Sequence, residues 1–236
     1  MARELCRNTT TNRNAGQQLA TRGTKDTKRV LDIETTYDQL LTWCRDHDFA
    51  GHDPFDALNS AVFQATPLAN SRQARFIWTQ LVKRSPVDLR TVARVPAQRN
   101  AKGIALFALA TLKNSEADAR QLLSDLADLK VDGYSGTAWG YNFDWQSRNF
   151  FAPRGTPTIV PTAFAARAFI EANDVRVARS ACEFILRDLP RPVDTSDEIC
   201  FSYSPNSKTQ IFNASLLAAE VLASVGNLTG ETELGD

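Results

Sequence analysis

Residues 101–128 read AKGIALFALATLKNSEADARQLLSDLAD, and this stretch decides the fold class. Its first part, 101–112, is apolar nearly all round, and a helix of that kind has to be enclosed by protein. Its second part places Ala119, Leu122, Leu123 and Leu126 at i, i+3, i+4, i+7 spacing, so that helix buries one side and wets the other. Only residues 113–115 separate them. The pattern predicts a helical hairpin with an inner, apolar helix and an outer, amphipathic one.

Outward from this hairpin the alternation recurs. Amphipathic stripes run through Tyr37, Leu40, Leu41 and Cys44, through Ala74, Ile77, Trp78, Leu81 and Val82, and through Ala178, Ala181, Cys182, Ile185 and Leu186. Segments apolar on nearly every side fill 55–65, 158–172 and 209–225. Ala, Gly and Ser are common in them, which permits close neighbours. Pro161 falls in a first helical turn, where its missing N–H is harmless. The order outer, inner, four times over, predicts eight helices in four αα-hairpins. The fold class is therefore all-α, an incomplete (α/α) toroid with two helix layers; an irregular multi-helix bundle is the competing arrangement.

Composition bounds the rest. The chain has 236 residues, with 27 Lys+Arg against 27 Asp+Glu. No apolar run approaches the roughly 18 residues of a membrane span, and the zero net charge makes no case for nucleic acid. The charge is unevenly placed: residues 1–30 carry seven Lys/Arg and two acids. That segment lacks apolar periodicity and reads as a flexible basic tail, with an Arg-rich transit peptide as the alternative; 31–236 reads as the toroid domain. The four cysteines show no CxxC or Cys/His cluster, so reduced thiols, a cytoplasmic location, no metal and no cofactor are expected.

Loop lengths point to a functional face. Inner-to-outer connections are short, whereas outer-to-inner connections (49–54, 84–99, 131–157 and 189–208) are long, and long loops in a compact domain are usually functional. In a ring of hairpins these loops share one face, where inner-helix N-termini present free N–H groups. The richest loop, 132–158, carries Tyr134, Trp139, Tyr141, Phe143, Trp145, Phe150 and Phe151 with Asp144, Arg148 and Arg154. Aromatic faces beside a carboxylate and guanidinium groups suit a sugar or sugar phosphate; the plain alternative is that the rings plug the toroid. Arg84 belongs to a basic stretch, 83–102. Tyr203 adds an aromatic, and Asn213 interrupts an apolar helix and is expected to be hydrogen-bonded. Asp144, flanked by Phe143 and Trp145, is the leading acid/base candidate, with Asp53 or Asp56 of GHDPFDALN (51–59) as partner. Asp53 before Pro54 also reads as a helix N-cap.

The runs GHDPFDALNS, KRSPVDLR, NAKGIALF, WGYNFDWQSR, GTPTIVPTAF and CFSYSP, with NAS downstream, resemble a bacterial and archaeal family of α/α-toroid proteins. That family is related to six-hairpin glycosidases and terpenoid-cyclase-like toroids and is associated with surface-polysaccharide synthesis. The resemblance covers about residues 40–230. It implies glycan or nucleotide-sugar handling, glycosidase-like or as a non-catalytic binding or scaffold protein, with isoprenoid handling as a further alternative. Two neighbouring chemistries lack their motifs: 194–197 reads DTSD, not D-x-D-D, and no histidine follows His52 to complete a zinc set. Family members run beyond this C-terminus, and a full ring has six hairpins. The chain is therefore expected to be truncated relative to the family, with self-association a way to cover the open ring.

Overall fold

The computed structural model describes residues 32–148, 150–231 and 234. They belong to two units, Met1–Thr42 and Trp43–Asp236, and the basic segment 1–30 lies outside the described residues. The chain is mostly helical. In order come α1 (Ile33–Asp46), α2 (Ala61–Gln64), α3 (Arg72–Arg84), α4 (Arg90–Ala93), α5 (Ala101–Thr111), α6 (Glu116–Asp128), α7 (Ile159–Glu171), α8 (Val175–Asp188) and α9 (Phe212–Thr229). Two antiparallel ribbons of two residues per strand interrupt the long loops. β1 (Trp145–Gln146) pairs with β2 (Phe151–Ala152), and β3 (Val193–Asp194) with β4 (Ile199–Cys200).

Local chemistry sets the helix limits. Asn100 caps α5 by accepting from the N–H groups of Lys102 (3.0 Å) and Gly103 (3.4 Å). Glu116 and Asp118 place negative charge on the positive end of α6. Gly230, at φ 75°, closes α9 in the left-handed conformation that glycine tolerates.

Packing follows the apolar pattern. In the second unit α5 lies against α6 and α7, and α7 lies against α8 and α9. The core between them joins Ile104, Leu122, Leu126, Ile159, Phe169, Phe184 and Ile185. Alanines line the approach: Ala105 and Ala108 of α5, Ala165, Ala166 and Ala168 of α7, and Ala214 and Ala218 of α9 are all buried. Small side chains bring apolar helices close and leave few voids.

Three expectations need correction. Segment 55–65 is not one inner helix. A 3₁₀ turn, Asp56–Asn59, stops at Ser60 (ψ 116°), whose hydroxyl accepts from Phe63 N–H and starts α2 as a single turn. A serine that can cap competes with helix continuation. The stripe on α3 also divides. Val82 and Thr79 are buried, whereas Ile77 and Leu81 face an open groove with Phe76 and Leu89. Finally, α9 is apolar all round but enclosed on one side only: Phe212 is 76% exposed and Leu216 69%.

One residue ties the loop 129–158 to the helices. Trp139 is fully buried, and its indole N–H donates to the carbonyl of Leu126 at 2.7 Å. Its backbone N–H donates to Thr162 Oγ1 (3.0 Å), and its carbonyl accepts from Thr158 N–H (3.1 Å). Upstream, Ser135 N–H donates to Asp188 Oδ2 (2.8 Å) and Thr137 N–H to Ser180 Oγ (3.0 Å), so the loop lies directly on α8. Gly136 makes that approach possible: a Cβ there would sit 2.0 Å from the Ser180 carbonyl oxygen and 2.6 Å from the Phe184 nitrogen. Both atoms are backbone and cannot step aside cheaply. Gly136→Ala should therefore lower stability by about 1–3 kcal/mol or more. Urea denaturation reads this, and an unchanged midpoint would show that the loop does not press on α8.

Candidate functional site

The site starts at the turn 51–59. Asp53 Oδ1 accepts from Phe55 N–H at 2.9 Å, which folds the chain back at Pro54. This brings Asp56 inside, 4% exposed. Its Oδ1 accepts from Arg90 Nε (3.1 Å), and its Oδ2 lies 3.1 Å from both His52 Nδ1 and Asp53 N–H. Arg90 also donates to the Asp53 carbonyl at 3.0 Å. A buried carboxylate needs this degree of pairing. Asp56 therefore acts as a hub, with its oxygens committed to protein groups.

Beside the hub lies an amide cluster. Asn59 Nδ2 donates to Gln98 Oε1 (3.2 Å) and to the Asn142 carbonyl (3.1 Å), and Asn142 Nδ2 lies 3.4 Å from the same Gln98 oxygen. Gln98 is held in turn by a two-way backbone bridge to Gly51. Two cavities adjoin here and share Gln98 and Asn142 as lining. One, of about 270 Å³, is lined by His52, Asp53, Asn59, Lys102 and Phe143 among others. The other, of about 590 Å³, is lined by Tyr141, Arg99, Arg154 and Gly155 among others. The smaller cavity opens at the capped N-terminus of α5, with Lys102 Nζ 5.0 Å from the Phe164 ring centre.

An aromatic wall stands next to the cavities. Tyr141 stacks on Phe143 (5.1 Å between ring centres) and meets Trp145 edge-on (6.2 Å). Trp145 packs against Phe150, Tyr203 and Phe55 at 5.0, 5.4 and 5.9 Å. Burial raises the Tyr141 hydroxyl well above the ordinary tyrosine value, and the Tyr203 hydroxyl bonded to it and the charge of Asp53 act in the same direction. Burial raises Tyr203 as well, against the opposing contacts of Tyr141 and Thr158. Both phenols therefore stay protonated.

The sequence-predicted residues separate into groups. Tyr141, Trp145 and Tyr203 come together in the wall, and Asp53 and Asp56 meet at the smaller cavity. Asp144 lines neither cavity; its Oδ1 accepts from Arg154 N–H at 2.7 Å and shapes the loop. Arg154 reaches the larger cavity and donates from Nε to the Asn142 carbonyl at 3.0 Å. Arg148 is exposed. Trp139 belongs to the core, and Tyr134 packs edge-on against Phe184 of α8 at 5.7 Å. Arg84 lines the apolar groove along α3. Asn213 is exposed in the first turn of α9, so it needs no buried partner. The basic stretch 83–102 is largely used up within the protein. Arg90 pairs with Asp56, Arg99 with Asp48 and Asp125, and Lys83 sits 3.9 Å from the Phe55 ring centre.

Sequence reading passed over Lys102, Asn59, Gln98 and Asn142. All four lie in stretches that drew attention (51–59, 83–102 and 132–158), but isolated amides and one lysine carry no pattern that singles them out. Among the described residues no group of His, Cys, Asp and Glu could hold a metal ion, and no helix is long and apolar enough to cross a membrane. Comparison with protein-family models, curated proteins and solved structures returns no match.

Burial raises the Asp53 carboxyl above its ordinary value, against the Phe55 N–H that favours the charged form; the nearby charge of Asp56 adds to the rise, and Lys102 and Arg90 oppose it. The folded state thus holds this proton more tightly than the unfolded state. Its contribution to stability is full below the ordinary carboxylate value and falls as pH rises through the raised one. Asp53→Asn removes that loss. The variant should match or exceed wild-type stability at about pH 7, a difference that shrinks toward about pH 3, below the ordinary Asp value near 3.9. Urea midpoints at the two pH values read it, and a variant less stable at neutral pH would show that the ionised carboxylate supports the fold.

Proposed function

We propose that the protein handles a glycan or nucleotide sugar, bound at the adjoining cavities around Gln98 and Asn142. One observation carries the reading. Polar groups (Asp53, Asn59, Gln98, Asn142 and Lys102) and two aromatic rings, Phe49 and Phe143, line the same cavity. Amides and carboxylates exchange directional hydrogen bonds with sugar hydroxyls, and rings cover the C–H faces. The charged and amide groups set into this otherwise apolar lining suit such a ligand better than an isoprenoid, which offers them no hydrogen-bond partner along its chain.

Binding is better supported than glycoside hydrolysis. A glycosidase sets two carboxyl groups on opposite sides of the scissile bond. Asp56 is committed to Arg90, His52 and Asp53 N–H, and Asp144 lines neither cavity. That leaves Asp53 as the proton donor if turnover occurs. The architecture we propose is an arc of an α/α-toroid, with α5, α7 and α9 as inner helices and α6 and α8 outside. The neighbour contacts of α5 with α7 and of α7 with α9 support this arrangement. Self-association is part of the same reading, resting on the exposed Phe212 and Leu216 of α9.

The test is a calorimetric titration with monosaccharides, oligosaccharides and nucleotide sugars. At least one should give a saturable change. Lys102→Met should weaken that ligand about tenfold, the loss of one charge-assisted hydrogen bond. No saturable response at millimolar concentration from any of them would overturn the proposal.

A further inference from the structure

We infer that His52 is the hydrogen-bond acceptor for one hydroxyl of the bound ligand, with its ring oriented for that role by Asp56; this rests on the sugar-handling reading above. The His52 ring lines the smaller cavity, and its side chain is 35% exposed. Its Nδ1 lies 3.1 Å from Asp56 Oδ2. A carboxylate that already takes N–H donors from Arg90 and the Asp53 backbone can only accept, so Nδ1 carries the ring hydrogen. The proton therefore leaves Nε2 with a free lone pair on the ring edge turned away from Asp56.

Arg90 and the Asp53 N–H already give each Asp56 oxygen one donor, and His52 adds a third from the cavity rim. The histidine, at the rim of a cavity, gains a fixed tautomer and a fixed plane. Of the other charged groups there, Lys102 can only donate, and Asp53 has one oxygen taken by Phe55 N–H. Through Nε2 His52 can thus supply an acceptor beside Lys102 and Asp53, and a mixed set of donors and acceptors is what telling one hydroxyl from another requires.

Only two histidines are present, His47 and His52, so a protein labelled with ¹⁵N-histidine gives two ring systems. At a pH about two units above the ordinary histidine value, the His52 ring should carry its hydrogen on Nδ1, and Asp56→Asn should abolish that preference. A ring protonated on Nε2 overturns the inference whether or not a sugar binds. The second arm uses His52→Asn, whose side-chain amide keeps a donor for Asp56 but offers no acceptor at the Nε2 position. With the best-binding sugar of the titration, this variant should retain wild-type stability and lose about tenfold in affinity, one hydrogen bond's worth. One monodeoxy analogue should weaken the wild type equally and the variant no further, the signature of a direct pair. Equal affinity of His52→Asn and wild type overturns the inference and leaves the sugar reading standing. Absence of sugar binding by the wild type overturns both.

Discussion

The indole of Trp139 fixes where the site can be. A bond of 2.7 Å to the Leu126 carbonyl joins the end of α6 to a loop whose regular structure amounts to the short β1–β2 ribbon. The same residue bonds through its backbone to Thr162 and Thr158 at the start of α7. An enclosed indole N–H without a partner would cost about 1–3 kcal/mol, so the ring has one good position. Trp139 thereby sets the starting point of the segment Gly140–Trp145. Gly140 follows it against Pro157, where a Cβ would lie 2.5 Å from the Thr156 carbonyl oxygen. Tyr141, Asn142 and Phe143 then arrive at the cavities from a fixed origin.

The electrostatics of the site follow from a second restraint, the buried Asp56. Arg90 comes from more than thirty residues away to pair with it, and this pairing fixes the turn 51–59. Asp53 is left partly desolvated at the lining of the smaller cavity. Of the basic side chains that the sequence concentrates in 83–102, Arg90, Arg99 and Lys83 have internal partners, and Lys102 lines the smaller cavity. Polar recognition at this site rests on neutral amides, one histidine and a few balanced charges.

Much of the helix plan was legible because it depends on periodicity. The segments 101–112 and 158–172 are helices within a residue or two of their expected limits, and the stripes Ala119–Leu126 and Ala178–Leu186 each fall inside one helix. The failures have separate causes. Ser60 caps where an apolar pattern predicts continuation, and the capping choice is local. The apolar pattern of α9 asks for enclosure on every side, while an incomplete ring leaves its last inner helix open on one; the exposed Phe212 and Leu216 fit the second expectation. For the site, the aromatic cluster was legible in part: Tyr141, Trp145 and Tyr203 assemble, while Trp139 and Tyr134 are held by helix contacts that no spacing reveals. The Asn59–Gln98–Asn142 cluster was not legible, since amides from three distant segments leave no motif.

Hydrogen exchange at Trp139 tests the central restraint most directly. The indole N–H of Trp139 and the backbone N–H of Thr158 and Val131, which donate to Leu126, Trp139 and Ala138, should exchange only when α5 and α7 unfold. Their protection should then equal that of the helix amides and respond equally to denaturant. Rapid exchange of these three while α5 and α7 stay protected would contradict the claim that Trp139 anchors the site loop.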